Sequence, residues 1–144
     1  MTMDQFTTFL ANNPMLTAAW VGIFLAIIFV SIRIKLSPIK QLSPQEMTLL
    51  VNKQEGVIVD IRPEKEFKAS HIVDAKHVTA EKINKNDTAS LEKFKARPII
   101  VVCTAGISAS KPAEQLVKAG FNQVNILKGG MNAWNNAGLP VVKK

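Results

Sequence analysis

The chain of 144 residues holds a single cysteine, Cys103, at a position that suggests chemistry. It ends a run of β-branched residues, "PIIVVC", and is followed by the loop "TAGISA" and a segment of helical pattern, "SKPAEQLVKAG". A strand, a tight loop and a helix in that order can turn backbone N–H groups inward, where they bind an anion. A thiolate is such an anion, and so is the persulfide that it forms when it takes up a sulfur atom.

The loop after the cysteine would supply the groups that hold this anion. Glycine at position 106 permits a sharp bend and a close backbone approach. We therefore predict Cys103 as the catalytic nucleophile. A buried structural thiol is the alternative, because free cysteine is often packed in a core. The predicted substrate-binding residues are those with loop N–H groups: Thr104, Ala105, Gly106, Ile107, Ser108 and Ala109.

Other site chemistries lack the residues that they need. One cysteine and two histidines, His71 and His77, do not have the spacing of zinc ligands, and no phosphate loop or dinucleotide fingerprint is present. We therefore predict neither a metal nor a cofactor. Neither histidine is near Cys103 in sequence, so no Cys–His dyad is predicted. Asp60 and Arg62 follow a strand and could face a site, but a structural ion pair or a helix cap is the favoured interpretation.

The segments around the cysteine alternate between strand and helix patterns. Strands are predicted at "VIVD", "AKHVT", "PIIVVC" and "QVNIL". This alternation is typical of an α/β fold with a mainly parallel sheet. In such sheets ligands bind beyond the carboxyl ends of the strands, and Cys103 follows one of these ends.

Helix start and stop signals lie between the strands. Ser43 is the predicted N-cap of a first helix, with Pro44 at its first position, Glu46 completing a capping box and Gly56 closing it. Later helices are predicted from Pro63 to Phe67, over "DTASLEKFK" with Asp87 as N-cap, over "SKPAEQLVKAG" with Gly120 just past its end, and over "GGMNAWNNAG". The last residues, "LPVVKK", are predicted to be a tail.

A long apolar segment precedes this region. Residues Met15 to Ile32 carry no charge, and as a helix they would span roughly 27 Å, close to the thickness of a bilayer core. A cleaved signal peptide would have a basic start, whereas the residues before the segment contain only Asp4 as a charged side chain. A buried core helix would show a polar stripe. We predict a tail over 1–14, a transmembrane anchor over 15–32, a basic linker over 33–40 and a folded domain over 41–144.

The positive charges predict the orientation of this anchor. All 18 lysine and arginine residues lie from Arg33 onward, and the formal net charge is +7. The positive-inside rule then places the folded domain in the cytoplasm and the N-terminus outside. The lysines are spread along the folded domain, which indicates a solvated surface or a basic face on the inner leaflet. We predict no specific nucleic-acid partner. A single cysteine allows no internal disulfide, which fits a reducing compartment.

Three blocks of the sequence resemble the rhodanese-like family of single-domain sulfurtransferases, of a membrane-anchored bacterial type. "VIVDIRPEKEFKASHIVDA" is similar to the family's first motif, "VVCTAGISA" to its active-site loop, and "ILKGGMNAWNNAGLPV" to its C-terminal signature. The resemblance covers residues 41–144 and implies a five-stranded parallel sheet with helices on both faces. It also places Met131 and Trp134 at the cleft mouth, although core packing explains them equally well. The apolar span and its positive flank predict a location in the bacterial inner (plasma) membrane.

The active-site loop departs from the family pattern. The family's common loop reads Cys-x-x-Gly-x-Arg-Ser/Thr, and here Ser108 and Ala109 stand at the last two positions. A guanidinium would add charge-assisted contacts to thiosulfate, so poor thiosulfate use is predicted. The resemblance also shows departures at Ser70 and Asp74, where glycines are usual. A cysteine phosphatase is not supported, because its arginine six positions after the cysteine is replaced by Ala109.

Two hypotheses about function follow. The first is a membrane-anchored sulfurtransferase that carries sulfane sulfur as a Cys103 persulfide, from a small donor or a persulfide-carrying protein to a thiophilic acceptor. The second is a catalytically weak binding module that docks partner proteins, which could include other membrane proteins, at the inner face of the membrane.

Overall fold

The computed structural model describes residues 2–35 and 38–144, with the side chains of residues 33–35 left out. The described residues form two compact units, one before residue 38 and one from Pro38 to Lys144.

The first unit consists of two helices, α1 (Met3–Asn12) and α2 (Pro14–Lys35). α1 lies in the segment predicted as a tail, of which residue 1 is outside the described part. The Gln5 side chain accepts a hydrogen bond from the Thr2 N–H at 3.1 Å, which satisfies one of the free donors at the start of a helix. Because the segment has only ten helical residues, its composition alone did not indicate a helix.

The second helix contains the predicted anchor. Over Pro14–Ile32 it is long enough and apolar enough to cross a membrane, by length and composition. The Thr17 hydroxyl donates to the Asn13 carbonyl at 2.9 Å, at the break between the two helices. Residues 36 and 37 of the predicted linker lie outside the described residues. The end of that linker, Lys40, is the first residue of a strand.

The second unit is built around a five-stranded sheet in the order β1-β6-β5-β2-β4. Every pair of neighbouring strands in this sheet is parallel. The α/β fold with a five-stranded parallel sheet is therefore confirmed. The strands of the unit are β1 (Lys40–Leu42), β2 (Val57–Asp60), β3 (His71–Ile72), β4 (Lys76–His77), β5 (Ile99–Val102), β6 (Val124–Leu127) and β7 (Val141–Val142).

Helices cover both faces of the sheet. Successive side chains of a strand point to opposite faces, so each buried strand contributes to the packing on both sides. Val57 and Val59 of β2 pack with a cluster that includes Leu116, whereas Ile58 between them packs with a cluster that includes Met47 and Trp134. All four residues of β2, of β5 and of β6 are buried, which is typical of parallel strands covered on both sides. The helices are α3 (Pro44–Gln54), α4 (Glu64–Ala69), α5 (Ala80–Asn84), α6 (Ser110–Lys118) and α7 (Gly130–Asn136), with a 3₁₀ helix over Ala89–Phe94.

The predicted start of α3 is confirmed, and the helix ends just before Gly56, whose N–H donates to the Leu50 carbonyl at 3.4 Å. The Ser43 hydroxyl accepts from the Glu46 N–H at 3.3 Å, and the Glu46 carboxylate accepts from the Ser43 N–H at 2.8 Å. At the other end, Glu55 rather than Gly56 adopts the left-handed conformation, with φ of 52°. A Cβ on Gly56 would lie 3.0 Å from Cδ1 of Ile100, which is a tight contact.

Two further local predictions are corrected by the structure. Asp87 is not a helix N-cap: its N–H donates to the Lys82 carbonyl at 2.9 Å, in the turn that leaves α5, and the 3₁₀ helix follows Thr88. The segment "LPVVKK" is not a free tail, since Val141 and Val142 pair antiparallel with Ile72 and His71. The pairing of the last segment depends on a contact between distant parts of the chain, which local patterns do not contain, whereas the Asp87 contact is a local turn.

Candidate active site at the carboxyl ends of β2 and β5

Cys103 lies directly beyond the carboxyl end of β5, a central strand of the sheet. Its side chain is only 2% exposed. The Gly106 N–H donates a hydrogen bond to the Cys103 Sγ, with 3.0 Å between nitrogen and sulfur. A donor pointed at the sulfur favours a negatively charged sulfur over a neutral one. The structure therefore places one N–H of the predicted loop where it can stabilise a thiolate or a persulfide.

The loop is supported from behind by the start of α7. The Met131 N–H donates to the Cys103 carbonyl at 2.8 Å, and the Asn132 N–H donates to the Thr104 carbonyl at 3.0 Å. A Cβ on Gly106 would lie 2.6 Å from the Gly129 nitrogen, and a Cβ on Gly130 would overlap the Cys103 carbonyl oxygen. Both close approaches depend on the absence of a side chain. Gly106 and Gly130 thus allow the cysteine loop and the start of α7 to lie in contact, and this contact holds the bend around the sulfur.

The other loop residues have different surroundings. Thr104 and Ser108 are exposed and line a cleft together with Cys103. Ala109 is fully buried and packs in the core, while Ile107 is 83% exposed at the loop surface. Of the predicted substrate-binding residues, Thr104 and Ser108 thus border the cleft. The backbone N–H groups of Thr104, Ala105, Ile107, Ser108 and Ala109 donate no hydrogen bond to any described protein group.

The cleft beside Cys103 has a volume of about 390 Å³ and opens between the segments that follow β2 and β5. This is large enough for a small sulfur compound or for the end of a longer group. Arg62, after β2, is the lining residue outside the cysteine loop that the sequence analysis considered for a site, whereas the lining at the start of α5 was not predicted, because no local motif marks it. The lining residues are Ile61, Arg62, Pro63, Thr79, Ala80, Glu81, Cys103, Thr104 and Ser108.

A buried ion pair holds the segment after β2. Arg62 is 7% exposed and Asp60 is 1% exposed, and their Nη2 and Oδ2 atoms are 2.7 Å apart. The Arg62 Nε and backbone N–H also donate to Asp60, and Nη2 donates to the Ser70 carbonyl at 2.6 Å. The structural ion pair that the sequence favoured is therefore present. Arg62 also lines the cleft, so one member of the pair faces the candidate site as well.

One carboxylate, that of Glu81, lines the cleft, and a second, that of Glu66, contacts two of the lining residues. Glu66 of α4 accepts a hydrogen bond from the Thr104 hydroxyl at 3.0 Å, and its Oε2 lies 4.0 Å from Nη1 of Arg62. Glu81 of α5 is paired with Lys85 at 2.7 Å. The hydrogen bond and the positive charge of Lys85 hold the pKa of the Glu81 carboxyl below its ordinary value. Both carboxylates were outside the predicted site, because nothing in the local sequence relates them to the cysteine loop.

The histidines and the C-terminal tryptophan belong to the framework. The His71 and His77 rings both stack with the Phe67 ring, with centroid separations of 3.9 and 4.4 Å. The His71 Nδ1 is hydrogen-bonded to the Phe67 carbonyl at 2.7 Å. Met131 and Trp134 pack in the core beneath α7 rather than at the cleft mouth. Within residues 2–35 and 38–144, no cluster of three or more potential metal ligands is found.

The arrangement of sheet, cysteine loop and glycine-supported turn matches a known protein family. The family model of the rhodanese-like domain matches residues 43–137, which are about two thirds of the chain. The chain belongs to the rhodanese-like family. The matched residues run from the N-cap of α3 to the end of α7, so they include both segments that form the cleft.

Curated relatives share this domain, and some share the whole chain. The chain is 34% identical to YibN of Escherichia coli strain K12 over 141 residues, which are 98% of this chain and 99% of the relative. It is 33% identical to the thiosulfate sulfurtransferase GlpE of Actinobacillus pleuropneumoniae serotype 3 over 102 residues, which are 70% of this chain and 91% of the relative. The rhodanese-like family thus includes relatives with and without the N-terminal unit.

Solved structures show the same fold. A rhodanese-related protein from Thermoplasma volcanium superposes with a TM-score of 0.64 at 20% identity, covering 73% of this chain and 99% of the other. At this identity the comparison concerns the fold alone.

Proposed function

We propose that this protein is a membrane-anchored sulfurtransferase that carries sulfane sulfur on Cys103. The Cys103 thiolate attacks the outer sulfur of a donor, and the bond between that sulfur and the donor breaks. The donor leaves with the electron pair, and a persulfide, Cys–S–S⁻, remains. A nucleophilic acceptor then attacks the outer sulfur, and the electron pair of the breaking S–S bond returns to Cys103.

One observation carries this proposal: the Gly106 N–H points at the Sγ of the chain's single cysteine. This contact is useful to a sulfur that carries negative charge, and a structural thiol does not need it. The neighbouring loop N–H groups have no acceptor among the described protein groups, so they are available to an outer sulfur. Membership of a family that includes proteins named thiosulfate sulfurtransferase gives independent support.

The donor we propose is a persulfide rather than thiosulfate. Ser108 lines the cleft at the position of the usual loop arginine, and its hydroxyl can offer one neutral hydrogen bond. The charge-assisted, two-pronged contact that an arginine makes with an anion is missing from this position. An alkyl or protein persulfide carries less charge than thiosulfate and depends less on that contact.

We further propose that α2 anchors the domain at the inner face of a bacterial inner membrane, with the N-terminus outside. Its length and apolar composition support a span, and the match to YibN extends over the N-terminal unit. The positive residues Arg33, Lys35 and Lys40 follow the span, and none precedes it. Protease added to spheroplasts is expected to spare the domain and to degrade it only after lysis. Degradation before lysis would reverse the orientation.

The experiment that tests the chemistry is intact mass spectrometry on the full chain in detergent. The protein is incubated separately with thiosulfate and with 2-hydroxyethyl persulfide, and Cys103→Ser is the control. We expect one added sulfur, about 32 Da, with the persulfide and only in the wild type. Sulfur that still adds to a folded Cys103→Ser protein would show that another group is the nucleophile.

The second candidate function is a docking module without efficient catalysis. It is favoured by the near-complete burial of Cys103 in a loop that lacks the usual arginine. In that case neither donor adds sulfur to folded wild-type protein. A partner that co-purifies with the detergent-solubilised chain would then be retained equally by the Cys103→Ser variant.

A further inference from the structure

Charged groups near Cys103 differ in how completely they are paired. Arg62 is the positively charged residue of the cleft lining, and Glu81 is the negatively charged one. Glu66 approaches the cleft through its hydrogen bond with Thr104. The pairing of each of these three groups determines the net charge that a donor meets as it reaches the sulfur.

Arg62 offers little free positive charge to a donor. Its Nε and Nη2 are both bound to the Asp60 carboxylate, and Nη2 also donates to the Ser70 carbonyl. A buried guanidinium in close contact with a carboxylate is neutralised as a pair. Its Nη1 faces a second carboxylate, that of Glu66, at 4.0 Å. Together, the Asp60 and Glu66 carboxylates and the Arg62 guanidinium therefore carry a net charge of about −1 at neutral pH.

The unbalanced charge of this group lies with Glu66, next to the loop. Glu66 is 45% exposed, and its closest contact is the hydroxyl of Thr104, the residue that follows the cysteine. Glu81, on the other side of the cleft, is matched by Lys85 at 2.7 Å. Glu66 is thus the carboxylate beside this cleft whose cationic partner, Arg62 at 4.0 Å, is already neutralised by Asp60.

We propose that Glu66 is a specificity-determining residue that disfavours doubly charged inorganic donors and so favours persulfides. This inference rests on the proposed function of Cys103. Thiosulfate brings two negative charges and leaves as sulfite, which also carries two: Cys–S⁻ + S–SO₃²⁻ gives Cys–S–S⁻ + SO₃²⁻. An alkyl persulfide brings at most one: Cys–S⁻ + R–S–S⁻ gives Cys–S–S⁻ + R–S⁻. Repulsion by a fixed charge is proportional to the charge of the donor, so Glu66 penalises thiosulfate about twice as much as a persulfide anion.

The test compares sulfur loading of the full chain in detergent for wild type and Glu66→Gln. Glutamine keeps an oxygen that can accept from Thr104, while the negative charge is removed and Nη1 of Arg62 loses its partner. We expect the loading rate with thiosulfate to rise roughly three- to tenfold, and the rate with 2-hydroxyethyl persulfide to rise by about the square root of that factor. The readout is the ratio of the two rates, since a purely structural change would move both donors together.

A matched control removes the same charge from the same helix. Glu64→Gln lies in α4, where Glu64 is paired with the exposed Lys68 rather than with the loop. It is expected to leave the ratio of rates unchanged within twofold. Raising the ionic strength should increase thiosulfate loading more steeply in wild type than in Glu66→Gln, because salt screens the repulsion.

Two results would overturn the proposal. One is an unchanged ratio of rates in Glu66→Gln, and the other is an equal shift in Glu64→Gln. Either result would leave the sulfur-carrier function intact, provided that wild type loads and Cys103→Ser does not. If wild type loads from neither donor and Glu66→Gln also fails to load, the function of Cys103 and this inference are both wrong.

Discussion

The two segments that line the cleft follow neighbouring strands, but they are held in different ways. The segment after β2 is held by side chains, chiefly by the buried pair of Asp60 and Arg62. The segment after β5 is held by its backbone, which receives N–H groups from the start of α7 and lies against Gly129 and Gly130. One wall of the cleft thus depends on charge, and the other depends on the absence of side chains.

This difference matters for the chemistry at the sulfur. A loop held by its carbonyl groups keeps its N–H groups free to face an anion, and the Gly106 N–H does so. A segment held by a buried ion pair presents neutralised charge to the cleft. The reactive wall is therefore the cysteine loop, whose carbonyl groups are held by the N–H groups of α7. The segment after β2 shapes the cleft and carries the charges of its ion pair.

The largest effect is expected where a side chain is added to the backbone-held wall. Gly130→Ala places a Cβ against the Cys103 carbonyl at a residue with φ of +57°. Overpacking and backbone strain together should destabilise the α/β unit by roughly 3–5 kcal/mol. Urea unfolding followed by Trp134 fluorescence, in a Trp20→Phe background, measures this loss, since the chain has two tryptophans.

Gly138→Ala is the matched control for this change. Gly138 has a similar φ of +67°, but a Cβ there meets nothing within 4 Å. It should cost only about 1 kcal/mol, from strain alone. Equal losses for the two glycines would show that the loop is not held by the close approach of α7.

A smaller but still large effect is expected on the side-chain-held wall. Asp60→Asn removes the charge that neutralises Arg62, and it leaves a buried guanidinium without its ion-pair partner. Breaking one partner of a buried pair typically costs about 3–4 kcal/mol. The same fluorescence assay measures the unfolding free energy of this variant.

An exposed ion pair with the same closest N–O distance provides the comparison. Lys68 and Glu64 are also 2.7 Å apart, but both side chains are more than half exposed. Lys68→Met is expected to leave unfolding nearly unchanged, because exposed pairs contribute little. A similar loss in both variants would mean that burial does not distinguish the ion pair of the cleft wall.

The smallest effect is expected outside both walls, at the start of α3. Ser43→Ala removes the hydroxyl that accepts from the Glu46 N–H, at a cost of about 1 kcal/mol. This variant gives the scale of an ordinary helix cap, against which the two cleft variants are compared. A loss as large as that of Gly130→Ala would contradict the ranking.

The pH dependence of this cap has a defined sign. The backbone N–H of Ser43, and then its hydroxyl, hold the pKa of Glu46 below its ordinary value of 4.5. The stabilisation is therefore complete above pH 4.5 and is lost as the pH falls through the lower pKa of the folded state. Glu46→Ala should be less stable than wild type at neutral pH, and the difference should shrink in acid. A difference that grows in acid would reverse this assignment.

Several parts of the fold were predictable because their signals are local. The buried strands β2, β5 and β6 are short apolar runs, and the capping box of Ser43 and Glu46 needs four consecutive residues. The end of α6 at Gly120, with φ of +94°, follows the same rule. The weak strand β1 and the pairing of β7 with β3 were missed, since two or three residues carry too little pattern.

The candidate site was predictable only in part. Cys103 and its loop stand out because a strand, a glycine-containing loop and a helix are consecutive in the chain. The other cleft residues come from separate segments, such as Glu66, which lies 38 positions before Thr104. Their relation to the cysteine arises when parallel strands place their carboxyl ends side by side.

The amino-acid order was enough to predict the apolar N-terminal helix, the alternating strands and helices, the family, and the cysteine at a strand end. Each of these follows from composition or from residues close together in the chain. The folded structure was needed to establish which backbone supports the loop, that Arg62 is neutralised by Asp60, and that Glu66 reaches Thr104. These contacts join residues far apart in sequence, and their energies depend on distance and burial, which arise only when the sheet has formed.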